Sequence, residues 1–417
     1  MALGDERPIA SDNDQAKQDG RPQDGDLLAA ALAIMAEEGF GGLTLRPLAK
    51  RLGYPIATFA RQVGSKDELL DHLIALAARA DQEDLEPWLR LVESFETLPL
   101  EALIEITEEV LRMRSGAGRS RSHFKCEVIQ AAATNPRLRP AIAEWIAVDR
   151  QLWQSLVHRA EEIPETLDMI AALEAFAIDD AARALIIDEF DAYRWMRREG
   201  VRRLWHGLFT GKPSSPSVLY MRALSDQPSP NGIPFWSAKT LTTMRDQNFG
   251  AIIAGLILDT GTDSVTHREV ARRADMPHSS VAYHYPMQDD LVELGMNAIV
   301  EMVRSESLAA MNSKELPLVA GQLAYASFAI ALAAARRPNL RPIAREMRRR
   351  RGENLMPWLQ QNAPADIPVE VADVQAMSSV LVGAILLSRA GVNDSGPITT
   401  QLFAQLGDWP DLLIRFR

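Results

Sequence analysis

Two stretches of this chain follow one template at a constant offset of 222 residues, and any fold it takes must accommodate both. Residues 44–66, TLRPLAKRLGYPIATFARQVGSK, pair with residues 266–288, THREVARRADMPHSSVAYHYPMQ. Arg46 aligns with Arg268, Leu48 with Val270, Ala49 with Ala271, Pro55 with Pro277 and Thr58 with Ser280; further on, Asp67 aligns with Asp289 and Leu69 with Leu291. Upstream, LLAAALAIMAEEGF at 27–40 lies over FGAIIAGLILDTGT at 249–262, with Gly39 over Gly261. A period this long is that of a duplicated domain rather than a solenoid. Each copy reads as two short helices joined by a tight turn. In the first, Leu45, Leu48, Ala49 and Leu52 recur at three- and four-residue spacing. Gly53 then tolerates the left-handed turn a helix end needs, and Pro55 opens the next helix, whose buried stripe is Phe59 and Val63. This is a helix-turn-helix pattern. Arg46, Lys50, Arg51, Arg61 and Lys66 fall within it and no acid does, although the net charge is -11.

The ordered set Ala30-Ala31-Leu32, Ala36-Glu37-Glu38-Gly39-Phe40, Thr44, Leu48-Ala49, Leu52-Gly53, Thr58-Phe59 and Ser65-Lys66-Asp67-Glu68-Leu69-Leu70 resembles the DNA-binding domain of TetR-type bacterial transcriptional regulators. The resemblance implies an all-α fold: two TetR-like units, each a three-helix head plus a helical effector and dimerisation body. It also implies that Lys66 touches phosphate. Ala60 and Ala282 stand where that family usually has tyrosine, and Gln288 replaces the second lysine, so these contacts differ here.

The expected organisation is a disordered tail over 1–24, a first head over 25–73, a first body over 74–210, a linker over 211–240, a second head over 241–297 and a second body over 298–417. The tail is rich in Asp, Gln, Gly and Pro. Residues 211–234 contain five prolines among Gly and Ser. ATNPRLRPAIAEW (133–145) and RRPNLRPIAREM (336–347) resemble one loop of the family's effector domains, and helices are expected over 182–196 and 374–392 where the family dimerises. Two halves on one chain predict an intramolecular pseudo-dimer, because tethering gives millimolar-order effective concentration. Paired internally, the chain is a monomer; the competing assembly is a homodimer of whole chains with four heads. Capping boxes are expected at Ser65/Glu68 and at Thr266/Glu269.

Base reading needs side chains with donors or acceptors near a helix N-terminus, while cations hold phosphates. The first head offers Thr44, Arg46, Pro55, Ile56, Ala57, Thr58, Arg61, Gln62 and Lys66; the second offers Thr266, Arg268, His278, Ser279, Ser280, Tyr283 and His284. Their side chains differ, so the expected partner is a double-stranded operator with unlike half-sites. Glu269 and Asp275 dilute the second head's charge. Phe124, Trp145, Trp153 and Tyr193 are candidates to line a pocket for an unknown small-molecule effector. The run Arg348 to Arg351 reads as a solvated helix face or as a seat for an anionic effector or acidic partner.

There is no phosphate loop, no H-E-x-x-H and no G-x-S-x-G, so no catalytic residue, metal site or cofactor is assigned and an enzyme is not expected. The single cysteine, Cys126, allows no internal disulfide and reads as a small buried apolar residue; with no signal pattern and no apolar run of spanning length, a cytoplasmic protein without a membrane partner is expected. The function predicted is a sequence-specific transcriptional regulator, a repressor released by its effector. The alternative is a ligand-sensing or protein-binding regulator whose heads, one or both, have degenerated.

Overall fold

A computed structural model describes residues 21–164, 167–187, 191–212, 215–225, 243–310, 320–349, 351–352, 355–393 and 396–404. The expected tail over 1–24 falls almost wholly outside them. The elements are helices, apart from one isolated bridge between Leu98 and Ala160. The first head comprises α1 (Asp24–Glu38), α2 (Leu45–Leu52) and α3 (Ile56–Val63). The first body follows as α4 (Lys66–Glu93), α5 (Leu100–Ser115), α6 (Arg119–Thr134), α7 (Arg139–Arg159), α8 (Met169–Ile187) and α9 (Asp191–His206). A short α10 (Val218–Ser225) leads toward α11 (Met244–Thr260), α12 (His267–Arg273) and α13 (His278–His284). The remainder is α14 (Gln288–Ala310), α15 (Ala320–Arg336), α16 (Arg341–Arg349), α17 (Met356–Asn362), α18 (Val371–Arg389) and α19 (Gly396–Ala404).

Several element boundaries differ from the expected ones. The first head runs without a break into its body, because α4 carries on 20 residues past position 73. Likewise α14 crosses position 297. Part of the expected linker is a helix: α10 packs on α9, Tyr220 is buried, and its hydroxyl donates to Gln375 Oε1 at 3.0 Å. The expected helix over 182–196 is represented by the end of α8 and the start of α9, with 188–190 outside the described residues. Pro55 stands one position ahead of the first helical residue, in extended conformation (φ -60°, ψ 134°).

The longest helix-on-helix packing joins α8 to α18, one from each half of the chain. Helix α18 is apolar and long enough to cross a membrane by length and composition, with a mean hydropathy of 1.7, contrary to expectation. It is a core helix: 89% of that window is buried inside the protein. At the crossing, a Cβ added to Gly383 would lie 1.8 Å from the carbonyl oxygen of Ala175. Only a glycine lets the two backbones approach this closely. Around it, Arg203 on α9 is fully buried and reaches Asp373 on α18 at 3.1 Å and Glu370 at 2.8 Å, besides Glu199 at 2.9 Å in its own helix. Burial raises the Asp373 carboxyl from 3.8 to about 6; Arg203 acts against the shift and Glu370 adds to it.

Two outcomes follow from this junction. Gly383→Ala should lower the melting temperature, at a cost of about 3 kcal/mol, because backbone cannot step aside. Gly255→Ala, at an open helical position, should raise it by about 1 kcal/mol equivalent. Thermal melts of both variants check the contrast. For Asp373 the folded pKa exceeds the unfolded one, so its stabilising contribution is full below about pH 4 and is lost as pH rises through about 6. Asp373→Asn should therefore melt higher than the parent above pH 6 and no higher below pH 4; a pH-independent difference would exclude this titration.

Candidate nucleic-acid interface

The first head is fixed from below by a compact apolar set in which Leu27, Leu48, Phe59 and Leu73 are almost wholly buried. Helix α2 ends at Gly53 in the left-handed region (φ 78°), which turns the chain into α3. Helix α4 starts on a full capping box. Ser65 Oγ accepts from the Glu68 amide at 3.2 Å, while Glu68 Oε2 accepts from the Ser65 amide at 2.8 Å. These restraints leave one face outward. Arg46, Lys50, Pro55, Ile56, Ala57, Arg61 and Lys66 are exposed on it, with Thr44, Thr58 and Gln62 half-buried. Gln62 Oε1 has no hydrogen-bond partner. Among the described residues, Arg46, Lys50, Arg61 and Lys66 form no ion pair, so their charge remains available. Arg51 is committed to Glu37 at 2.7 Å.

The segment expected as a second head, α11 to α13, repeats several backbone landmarks of the first and spends its charge differently. Gly261 matches Gly39 in positive φ (85° and 73°), and Asp275 takes the left-handed role of Gly53 at φ 51°. Aspartate is among the few side chains that tolerate it. Thr266 Oγ1 accepts from the Glu269 amide at 3.2 Å, yet the expected box is only half formed. Glu269 turns instead to Arg272 at 2.5 Å and Arg273 at 3.3 Å, and these bonds pull its carboxyl down to about 2. Gln288 donates to Val265 O at 2.7 Å and so knits the head together. Thr266, Arg268, His278, Ser279, Tyr283 and His284 are exposed, and Ser280 is half-buried. Tyr283 is the most open of the large side chains here, at 81%. His284 Nδ1 accepts from Arg245 at 3.1 Å.

Each head is tied to its body by the corresponding loop. Arg137 reaches Asp71 at 2.8 Å and Asp67 at 3.4 Å on α4, and Arg337 reaches Asp289 at 3.3 Å on α14. A 3-10 turn precedes α7 at Pro136–Leu138 and α16 at Pro338–Leu340. The two heads also meet one residue in common. Arg336 on α15 pairs with buried Glu127 on α6 and with Asp263 in the second head at 2.7 Å, and its guanidinium lies under Gly39 of the first.

Of the four aromatic residues assigned to an effector pocket, the structure brings only Trp153 to a cavity. That cavity, about 30 Å³, is lined by Trp153, Leu111, Arg114, Lys125, Asp149 and Asp180 among others, and has room for about two water-sized guests. The Trp153 indole N–H has no partner. Phe124 and Trp145 are core instead, ring edge to ring face with centroids 5.6 Å apart. Tyr193 is buried with its hydroxyl on Asp180. Sequence reasoning missed the polar cluster beside the cavity. Asp81 is buried among Trp145 Nε1 (2.9 Å), Lys125 (3.0 Å), Arg121 (2.8 Å) and Arg114 (2.5 Å). Burial works to raise the Asp81 carboxyl, but Lys125, Arg114 and Arg121 hold it well below the usual range. No periodicity announces such residues, since a charge in an amphipathic helix reads as solvent-facing. Cys126 is fully buried, with its thiol pushed up to about 12, so it is no nucleophile. Among the described residues, no three His, Cys, Asp or Glu side chains gather as metal ligands would.

A three-helix head whose turn presents unpaired cations is a helix-turn-helix DNA-binding domain. Residues 27–73 match the sequence model of the bacterial regulatory proteins of the tetR family. The match supports a TetR-type DNA-binding transcription regulator. No curated protein matches the chain. Replacing Arg46 and Lys66 together with Ala should weaken binding to every duplex alike and flatten the dependence of log affinity on log salt by roughly 2. Titrations across salt concentrations check this; an unchanged slope in a folded variant would remove these residues from the interface.

Proposed function

We propose that the chain is a tandem regulator, two TetR-like halves joined covalently and paired with each other, acting as a repressor that an effector releases from DNA. The observation that carries the reading is the recurrence of backbone landmarks at the offset of 222. Gly39 and Gly261, Gly53 and Asp275, and Pro55 and Pro277 hold matching conformations in matching places. The loop arginines Arg137 and Arg337 support it further, since each grips an aspartate at the start of its own head's exit helix. Pairing within one chain is supported by the α8–α18 crossing, where a family homodimer would join two copies.

In this reading the DNA-binding residues are those exposed on α2, α3, α12 and α13, and the first head supplies most of the charge. The second head reads through Tyr283 and the hydroxyls of Ser279 and Ser280. The effector enters at the Trp153 cavity, which has to widen, because it now holds only water-sized guests. Movement of α6 there reaches both heads through Glu127 and Arg336. A regulator that binds DNA works in the cytoplasm.

Selection from random duplexes followed by footprinting tests the proposal. Two unlike half-sites are expected, the one under the first head bound more tightly, by a particle with the chain mass of 46.2 kDa. A perfect inverted repeat protected equally on both arms, with a particle of twice that mass, would replace it by a symmetric dimer of whole chains.

A further inference from the structure

Among the described residues, the junction between the halves gathers more buried positive charge than its carboxylates neutralise. Asp179 on α8 is fully buried, and its carboxylate receives three guanidiniums. Arg183, one turn on, places Nε at 2.9 Å; Arg351 places Nη2 at 3.0 Å; Arg348 at the end of α16 adds Nη1. The neighbouring Asp180 is already taken, by Arg197 at 3.0 Å and by the Tyr193 hydroxyl. Three arginines against one aspartate leave two positive charges over. None of the four side chains is more than 7% exposed. This overturns the solvated-face reading at Arg348 and Arg351, while Arg350 lies outside the described residues.

Arg348 is the least supported of the three. It is 1% exposed, and beyond its bond to Asp179 the Nε and Nη2 groups have no hydrogen-bond partner. Those two N–H groups form one edge of the guanidinium. It is the edge by which Arg150 grips both oxygens of Glu174, at 2.7 and 2.8 Å. Arg351 Nε is unpartnered as well. Burial, together with the like charge of Arg183, lowers the Arg348 pKa against the pull of Asp179. A buried guanidinium with an unused bidentate edge is costly, because water is gone and nothing replaces it.

We propose that this junction binds a small monovalent inorganic anion of chloride size, seated across the Nε and Nη2 edge of Arg348 with Arg351 Nε as a further donor. The ligand is small because each of those donor nitrogens is closed off from solvent. It is anionic because the cluster carries excess positive charge, and chloride is the small anion that suits so closed a site. Seated there, it offsets the mutual repulsion of Arg183 from the first half and Arg348 and Arg351 from the second. The inference depends on the packing of α8 against α16 and not on DNA binding, so either can fail alone.

The test uses full-length protein melted in sodium chloride and in sodium gluconate at equal ionic strength, gluconate being too large to enter. The melting temperature should be higher in chloride by about 3 °C, saturating with concentration. Asp179→Asn, which removes the competing carboxylate, should widen that difference, and Arg348→Met should abolish it. Crystals soaked in bromide should give an anomalous peak within hydrogen-bonding reach of Arg348 Nε. Equal melting in both salts, a chloride increment that survives Arg348→Met, or the absence of the bromide peak would each overturn the proposal. If Arg348→Met does not fold, the bromide peak and the Asp179→Asn comparison decide it.

Discussion

The backbone approach of α8 and α18 at Ala175 and Gly383 sets the spacing at which everything else between the halves can form. Carboxylates on short side chains have little reach, and hydrogen bonds weaken steeply beyond about 3.2 Å. The same helix α18 meets α9 through Asp373 and Arg203 and α10 through Gln375 and Tyr220, so its placement against the first half is fixed from three helices. A dry, closely spaced crossing is also what makes these charges so strongly coupled, because little water remains to screen them. The junction is therefore polar in its specificity and apolar in its bulk. Val374, Met377, Val380 and Leu381 supply the buried surface, and a few ionic contacts select the register.

The two helix-turn-helix segments differ in electrostatics at several aligned positions, one of them Arg61 against Tyr283. Where the first head has Pro47 the second has Glu269, which ties down two arginines. Where the first has Lys66 the second has Gln288, which turns inward to a carbonyl. Affinity for a phosphate backbone scales with the cations left unpaired. The same three-helix frame thus supports one strongly and one weakly electropositive surface. The segment at 266–288 is stabilised in part by bonds that the matching residues of 44–66 do not make.

Much of this was legible beforehand for a definite reason. The helix-turn-helix positions are fixed by local rules, such as left-handed residues at helix ends and serine caps, so Gly53, Ser65 and Pro277 could be read from neighbours a few residues away. The loops at Pro136 and Pro338 were visible on the same grounds. Contacts with no local signature were hidden. Arg348 and Arg351 look solvent-facing in an arginine-rich run, and only the arrival of Asp179 from 169 residues away buries them. Phe124 and Trp145 satisfied the composition of a ligand pocket but are packed against each other, because composition does not say whether apolar side chains enclose space or fill it. The helical nature of residues 218–225 was masked by the prolines around it, although Tyr220 anchors that segment.

Arg336 reaches Glu127 across 209 residues of sequence, and this has a consequence for synthesis. A chain made from its N-terminus builds α6 long before α15 exists, at about 5–20 residues per second. For roughly 10–40 s the first half lacks Arg336, which pairs with Glu127, and lacks the two arginines that join Arg183 at Asp179. During that interval Asp179 has Arg183 and Glu127 has His123, and the faces of α6 and α8 that later meet the second half stay in water. The nascent protein must pass through a period in which its future junction is open and wet, and its exposure to proteases and chaperones is set by the length of the second half.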